Sequence, residues 1–103
     1  MATTPLDVDR LREFVETLFL SAGISENDSH VVTDAFIEAN LRGVDTHGVR
    51  LVPAYIRRVR NGAVNATPRI RHLSDLGATV RLDGDNGFGQ VVGVYAMRLA
   101  MER

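Results

Sequence analysis

The run Gly43-Val44-Asp45-Thr46-His47-Gly48-Val49 decides how this chain is read. It lies between two segments of strong helical periodicity, and it sets an acid, a hydroxyl and an imidazole between two glycines. Helices commonly end on a left-handed Gly and begin on a polar N-cap. Gly43 and Asp45 therefore read as punctuation, with Asp45 capping the helix that follows. A helix–helix turn has no use for an imidazole, so His47 is where chemistry is sought.

Working upstream, Val8, Leu11, Phe14, Val15, Leu18, Phe19 and Ala22 recur at helical spacing behind Asp7, which predicts a helix over 7–22 that Gly23 stops. Ser25-Glu26-Asn27-Asp28 resembles a capping box with Asp in the last place. It opens a second helix to about Arg42, with Val31, Val32, Ala35, Phe36 and Ala39 inward and His30 exposed. Working downstream, Val49, Val52, Ile56 and Val59 form the seam of a third helical segment over 49–61, with Arg50 and Arg57 on another face. Pro53 lacks a donor, so this segment begins as a loose turn and becomes regular from Pro53 onward. Asn61-Gly62 ends it, 63–68 reads as an extended linker, and 70–73 and 79–82 read as short strands about Ser74-Asp75-Leu76-Gly77.

Asp83-Gly84-Asp85-Asn86-Gly87-Phe88-Gly89-Gln90 then leads into a segment holding Val91, Val92, Val94, Tyr95, Met97, Leu99 and Met101. A helix so apolar on nearly every side belongs in a core or an interface. No terminator follows it, which suggests the front of a larger protein. The predicted fold class is α+β and mainly α: three N-terminal helices, a short strand pair and a last helix. Residues 1–68 form a helical domain carrying the motif, and 69–103 open a further domain.

Composition removes several functions. The chain of 103 residues is 45% hydrophobic, as suits a globular domain. No apolar run is long enough to span a bilayer, and Met1 to Pro5 lack the basic and apolar parts of a signal peptide, so cytoplasm is the expected compartment. There is no Cys, hence no disulfide, thiolate nucleophile or Cys-bound zinc. Every cation is Arg, so no Lys acid/base or Schiff base exists in this chain. Residues 1–41 carry eight acids against two Arg, whereas 42–72 carry seven Arg against Asp45 alone. Such a basic block suits anion recognition by guanidinium groups.

The glycine loop reads as structural. Its order, G-x-x-G-x-G, reverses the dinucleotide fingerprint, and the Walker A Lys is missing. As a calcium loop it fails at Gly87 and Val94. No cofactor-binding or metal-binding residue is therefore assigned. Arg50, Arg57, Arg58 and Arg60 offer an alternative function, a small self-contained anion- or nucleic-acid-binding helical module, though Pro53 disturbs the helix that would read bases. The stronger site is His47. An imidazole ordinarily titrates near neutrality, so it exchanges a proton at working pH. Thr46 stands beside it as a hydroxyl for the same substrate oxygen, and Arg50 lies one helical turn on as a carboxylate clamp. Proton transfer at a carbonyl or alcohol carbon fits this set, and a redox version requires a cofactor.

Ala39-Asn40-Leu41-Arg42-Gly43-Val44-Asp45-Thr46-His47-Gly48-Val49, then Tyr55, then the 82–90 run resemble the type-2 malate/L-lactate dehydrogenase family over nearly the whole chain. The resemblance implies a homodimeric NAD- or NADP-dependent oxidoreductase with a non-Rossmann cofactor domain, interconverting small-molecule 2-hydroxy and 2-oxo acids, with no nucleic acid or membrane as partner. It implies that 69–103 begin the cofactor domain, that most cofactor-binding residues lie beyond 103, and that this chain alone is inactive. It puts the proton donor/acceptor on His47, the hydroxyl position on Thr46 and a substrate-side Tyr on Tyr55. The family Arg follows the catalytic His by four residues; here that place holds Leu51, and Arg stands one position earlier at Arg50. One position turns a helical side chain by about 100 degrees. The clamp thus falls to Arg50 or to Arg57.

Overall fold

A computed structural model describes residues 5–103; Met1 to Thr4, part of the stretch read as lacking a signal peptide, lie outside the described residues. The order is α1 (Val8–Ser21), α2 (Glu26–Leu41), two 3-10 turns (Asp45–His47 and Val49–Leu51), α3 (Val52–Arg60), β1 (Arg71–Asp75), β2 (Val80–Asp83) and α4 (Gly89–Met101). The mainly helical α+β class is as expected. Asp7 caps α1 through Asp9 N and Arg10 N, and Ser25 caps α2 by accepting from Asp28 N at 3.1 Å. Both helices close on a left-handed Gly. Ile24 N donates to Phe19 O at 3.2 Å beyond Gly23, and Val44 N donates to Ala39 O at 2.8 Å beyond Gly43.

The buried faces differ from the periodicity. On α1 only Val15 and Phe19 are buried, while Phe14 is 61% exposed and Val8 and Leu18 stay at the surface. Residues 11, 15 and 19 make one ridge; 14 and 18 belong to the next ridge round, which nothing among the described residues covers. Helix α2 buries Ser29, Val32, Thr33, Phe36 and Ile37, whereas Val31, Ala35 and Ala39 are only half-buried. It packs against both α1 and α4, so its buried face is wide enough to take in two hydroxyls. Ser29 Oγ donates to Ile24 O at 3.3 Å, and Thr33 Oγ1 is buried without a partner among the described residues.

Four aromatic rings from four segments close a cycle at the centre. Phe19 stacks on Phe36 at 6.1 Å, and Phe36 meets Tyr55 edge-on at 4.9 Å. Tyr55 stacks on Phe88 at 5.4 Å, and Phe88 returns edge-on to Phe19 at 5.9 Å. Val15, Ile24, Val32, Val52 and Val91 complete the core. Phe88 and Val91 follow the hairpin in sequence yet pack with the first three helices, so one core spans both parts of the described chain.

The glycine loop does this anchoring in an unexpected way. The left-handed residues are Asp85 (φ 53) and Asn86 (φ 58), the middle of a type I′ turn closed by Gly87 N donating to Gly84 O at 3.1 Å. Gly84 and Gly87 serve closeness instead. A Cβ on Gly84 would meet Val92 at 3.0 Å, and one on Gly87 would meet Pro68 at 2.8 Å. Asp85 accepts from Asn65 Nδ2 at 3.0 Å and Arg69 N at 2.8 Å, and Asn86 Nδ2 donates to Ala63 O at 2.7 Å. The stretch 63–68, expected as a linker, is thereby fastened to the loop.

Strands β1 and β2 pair antiparallel, Arg71 with Asp83 and Asp75 with Val80, with a bulge between His72 and Ser74. The Arg71 guanidinium holds the Asp83 carboxyl below its ordinary range, and Arg103 does the same to Asp75 through two bonds of 3.0 and 2.6 Å. His72 Nε2 lies 2.8 Å from the Tyr95 hydroxyl, so the hairpin leans on α4. Of α4 itself only Val91 is buried, and Met97 and Met101 are 62% and 72% exposed. Among the described residues no helix is long and apolar enough to cross a membrane.

Candidate functional site

Beyond Gly43 the chain winds into two short 3-10 turns rather than one helix. His47 N donates to Val44 O and Gly48 N to Asp45 O, both at 3.1 Å, closing the first turn. Gly48 is extended (φ −92, ψ −157), and Leu51 N donates to its carbonyl at 3.1 Å to close the second. Regular helix begins at Val52 with Pro53 in its first turn, as the missing proline donor required.

One side chain holds both ends of this arch. Asn40, in the last turn of α2, donates from Nδ2 to Asp45 Oδ1 at 2.9 Å and accepts at Oδ1 from Val49 N, also at 2.9 Å. Asp45 therefore does not cap a helix, as the sequence had suggested; neither 3-10 turn has a side-chain cap, because the Asp45 carboxylate is spent on Asn40. Gly48 is buried under the same carboxamide, leaving no room for a Cβ. Residue-by-residue reading missed Asn40. The available signal was an Asn, both donor and acceptor, one helical turn before a Gly stop.

Thr46 and His47 are both exposed on this arch, with Thr46 Oγ1 3.0 Å from His47 Nδ1. The contact engages one ring nitrogen, which leaves Nε2 as the nitrogen open to a ligand. Thr46 thus meets His47 itself. Arg50 is exposed in the second turn, and its guanidinium has no partner among the described residues. Arg57 is exposed on α3. Tyr55 is half-buried with its ring in the aromatic cycle and the Arg58 guanidinium 5.2 Å above it, so only its outer edge remains for other contacts.

The structure also contains a cleft of about 450 Å³ between the start of α2 and α4, lined by Asn27, Asp28, Val31, Pro68, Tyr95 and Arg98 among others. It includes none of His47, Thr46, Arg50 or Tyr55. The cleft and the exposed arch are thus separate features of the chain.

The glycine loop does not offer free amides to a dinucleotide phosphate. The Asp85 amide is taken by Asp83 Oδ1 at 2.8 Å and the Gly87 amide by Gly84 O. Among the described residues no group of three His, Asp or Glu could hold a metal.

The chain is similar to known dehydrogenases. A malate dehydrogenase of Pyrococcus abyssi is 41% identical over 95 residues, covering 92% of this chain and 26% of that protein. Hydroxycarboxylate dehydrogenase B of Escherichia coli is 36% identical over 97 residues, covering 94% and 27%. The solved malate dehydrogenase of Pyrococcus horikoshii superposes with a TM-score of 0.94 at 36% identity, covering 96% of this chain and 28% of that one. The chain thus spans about a quarter of the length of the curated relatives it matches. A self-contained nucleic-acid module on the 50–60 basic face finds no support in these matches, which are dehydrogenases. The model of malate/L-lactate dehydrogenases fits residues 6–103, from the first helix through the His47 arch to the end of α4, and the chain belongs to that family.

Proposed function

We propose that the whole protein is a 2-hydroxy acid dehydrogenase, equally a 2-oxo acid reductase, of malate or lactate type, and that these residues are its N-terminal part. His47 is the proton donor and acceptor for the substrate oxygen. The observation that carries this is the exposed imidazole with Nδ1 engaged by Thr46 and Nε2 open. Oxidising a hydroxy acid releases the hydroxyl proton as well as a hydride equivalent, and Nε2 accepts that proton; in reduction it returns one to the carbonyl oxygen. Thr46 orients the ring. Arg50, free on the same arch, grips the substrate carboxylate by two parallel bonds, with Arg57 the other candidate. The Tyr55 edge faces the substrate side.

A dehydrogenase of this class works with NAD or NADP, which we assign to residues beyond 103, with 69–103 leading into that domain after the helical 1–68. We further infer a cytoplasmic homodimer. The test is on the intact protein, reading NADH and NADPH oxidation with oxaloacetate and pyruvate. His47→Ala lowers kcat by at least about a hundredfold, the scale of a lost general acid. An unchanged kcat rejects His47. The 103-residue chain by itself turns over neither acid, and measurable turnover would show that its own residues suffice.

A further inference from the structure

We infer that Asn40 is a positioning residue for His47, acting through the arch and touching no reacting atom; the inference rests on the role proposed above for His47. A carboxylate only accepts hydrogen bonds and a backbone amide only donates, so a side chain bridging Asp45 to the Val49 amide must offer one donor and one acceptor a fixed distance apart. Asn40 does so, with both bonds at 2.9 Å. Its two partners flank the Thr46-His47 pair on either side. Between them the backbone is closed by the Gly48 N to Asp45 O bond, with His47 N to Val44 O just before it, so fixing Asp45 and Val49 fixes the direction in which residues 46 and 47 leave the chain. Gly48 completes the clamp, since a larger residue would displace the carboxamide.

The imidazole has no burial of its own to orient it. Both it and Thr46 are exposed, and their 3.0 Å contact persists only while the arch presents them together. Neither turn has a side-chain cap; Val49 and Leu51 pack against the core after His47, and Val44 N is bonded to Ala39 O before it, so Asn40 is what ties the two sides of the exposed pair to each other. Asn40 is half-buried and anchored in a regular helix, so it ties the exposed residues 45–47 to α2. Proximity effects are steep, and misplacing a reacting group by about 1 Å costs on the order of a hundredfold in rate.

The experiment uses the intact protein with 15N-labelled histidine, His47 being assigned by a His47→Gln variant, and follows its two ring nitrogens through a pH titration. The wild type shows one dominant neutral tautomer. Asn40→Ala averages the two nitrogens, with the backbone amide spectrum otherwise retained, and lowers kcat by about tenfold to a hundredfold with little change in KM. Asn40→Asp sets two carboxylates face to face and does the same. Asn40→Asp combined with Asp45→Asn transposes donor and acceptor, and it restores both the tautomer and most of kcat. Wild-type ring signals in Asn40→Ala, or no recovery in the transposed pair, overturn the inference. Absence of any 2-oxo acid turnover in the wild type would instead remove the dehydrogenase proposal, and the ring signals would still decide Asn40.

Discussion

Gly48 lies so close beneath Asn40 that a methyl group on it would overlap the carboxamide. Its backbone is one that any residue adopts, at φ −92, so space and not conformation demands glycine here. Gly43, a few residues earlier, is the opposite case: it has open space around it but a φ of 77.

Gly48→Ala is accordingly expected to push Asn40 off both partners and to destabilise the fold by about 1–3 kcal/mol, the usual cost of overpacking. Urea unfolding measures it. A midpoint equal to wild type would show that the arch relaxes freely.

The aromatic cycle predicts a large cost at Phe88, a residue outside every regular element. Phe88→Ala removes two ring partners at once and should cost about 3–5 kcal/mol, whereas Phe14→Ser, at a site 61% exposed, should change the stability of this chain by no more than about 0.5 kcal/mol. Equal effects in denaturant titrations would contradict the assigned core.

Thr33 carries a buried hydroxyl with no partner among the described residues. Thr33→Val keeps the shape and deletes the unsatisfied group, so thermal unfolding should move upward, by the equivalent of about 1 kcal/mol. A loss of stability would reveal a hydrogen bond to that hydroxyl.

Acid stability follows from Asp75 and Asp83, both lowered from the ordinary 3.8 by the bonds from Arg103 and Arg71 respectively. A carboxyl with a depressed folded pKa contributes stability above its unfolded value and loses it as pH falls through the folded value. Stability should therefore fall with pH below about 4, where the unfolded chain binds more protons than the folded one. Both pairs are surface pairs, so added salt weakens the effect. Urea midpoints measured from pH 6 to pH 2 check this, and Asp75→Asn with Asp83→Asn should flatten the acid limb. An unaltered limb in the double variant would assign it to other carboxyls.

Local chemistry made much of the helical frame readable. Asp7 and Ser25 cap by accepting from amides two or three residues on, Gly23 and Gly43 stop helices by their freedom at positive φ, and Pro53 can only begin a helix. These are interactions within a few positions of sequence, and residue type alone decides them. Which ridge of α1 would be buried was not readable, because Val15 and Phe14 are equally apolar and only the direction of α2 separates them.

The same division runs through the site. The sequence by itself determined that an imidazole stands between two glycines at a helix break, and that a Phe follows a glycine-rich turn. Only the tertiary structure decided that Asp45 answers Asn40 instead of capping, that Thr46 meets His47, that Asp85 and Asn86 take the left-handed turn, and that Phe88 closes a ring of four aromatics. Caps and stops are contacts between near neighbours, written in residue type. Packing depends on which distant surfaces meet, and no single stretch of chain records that.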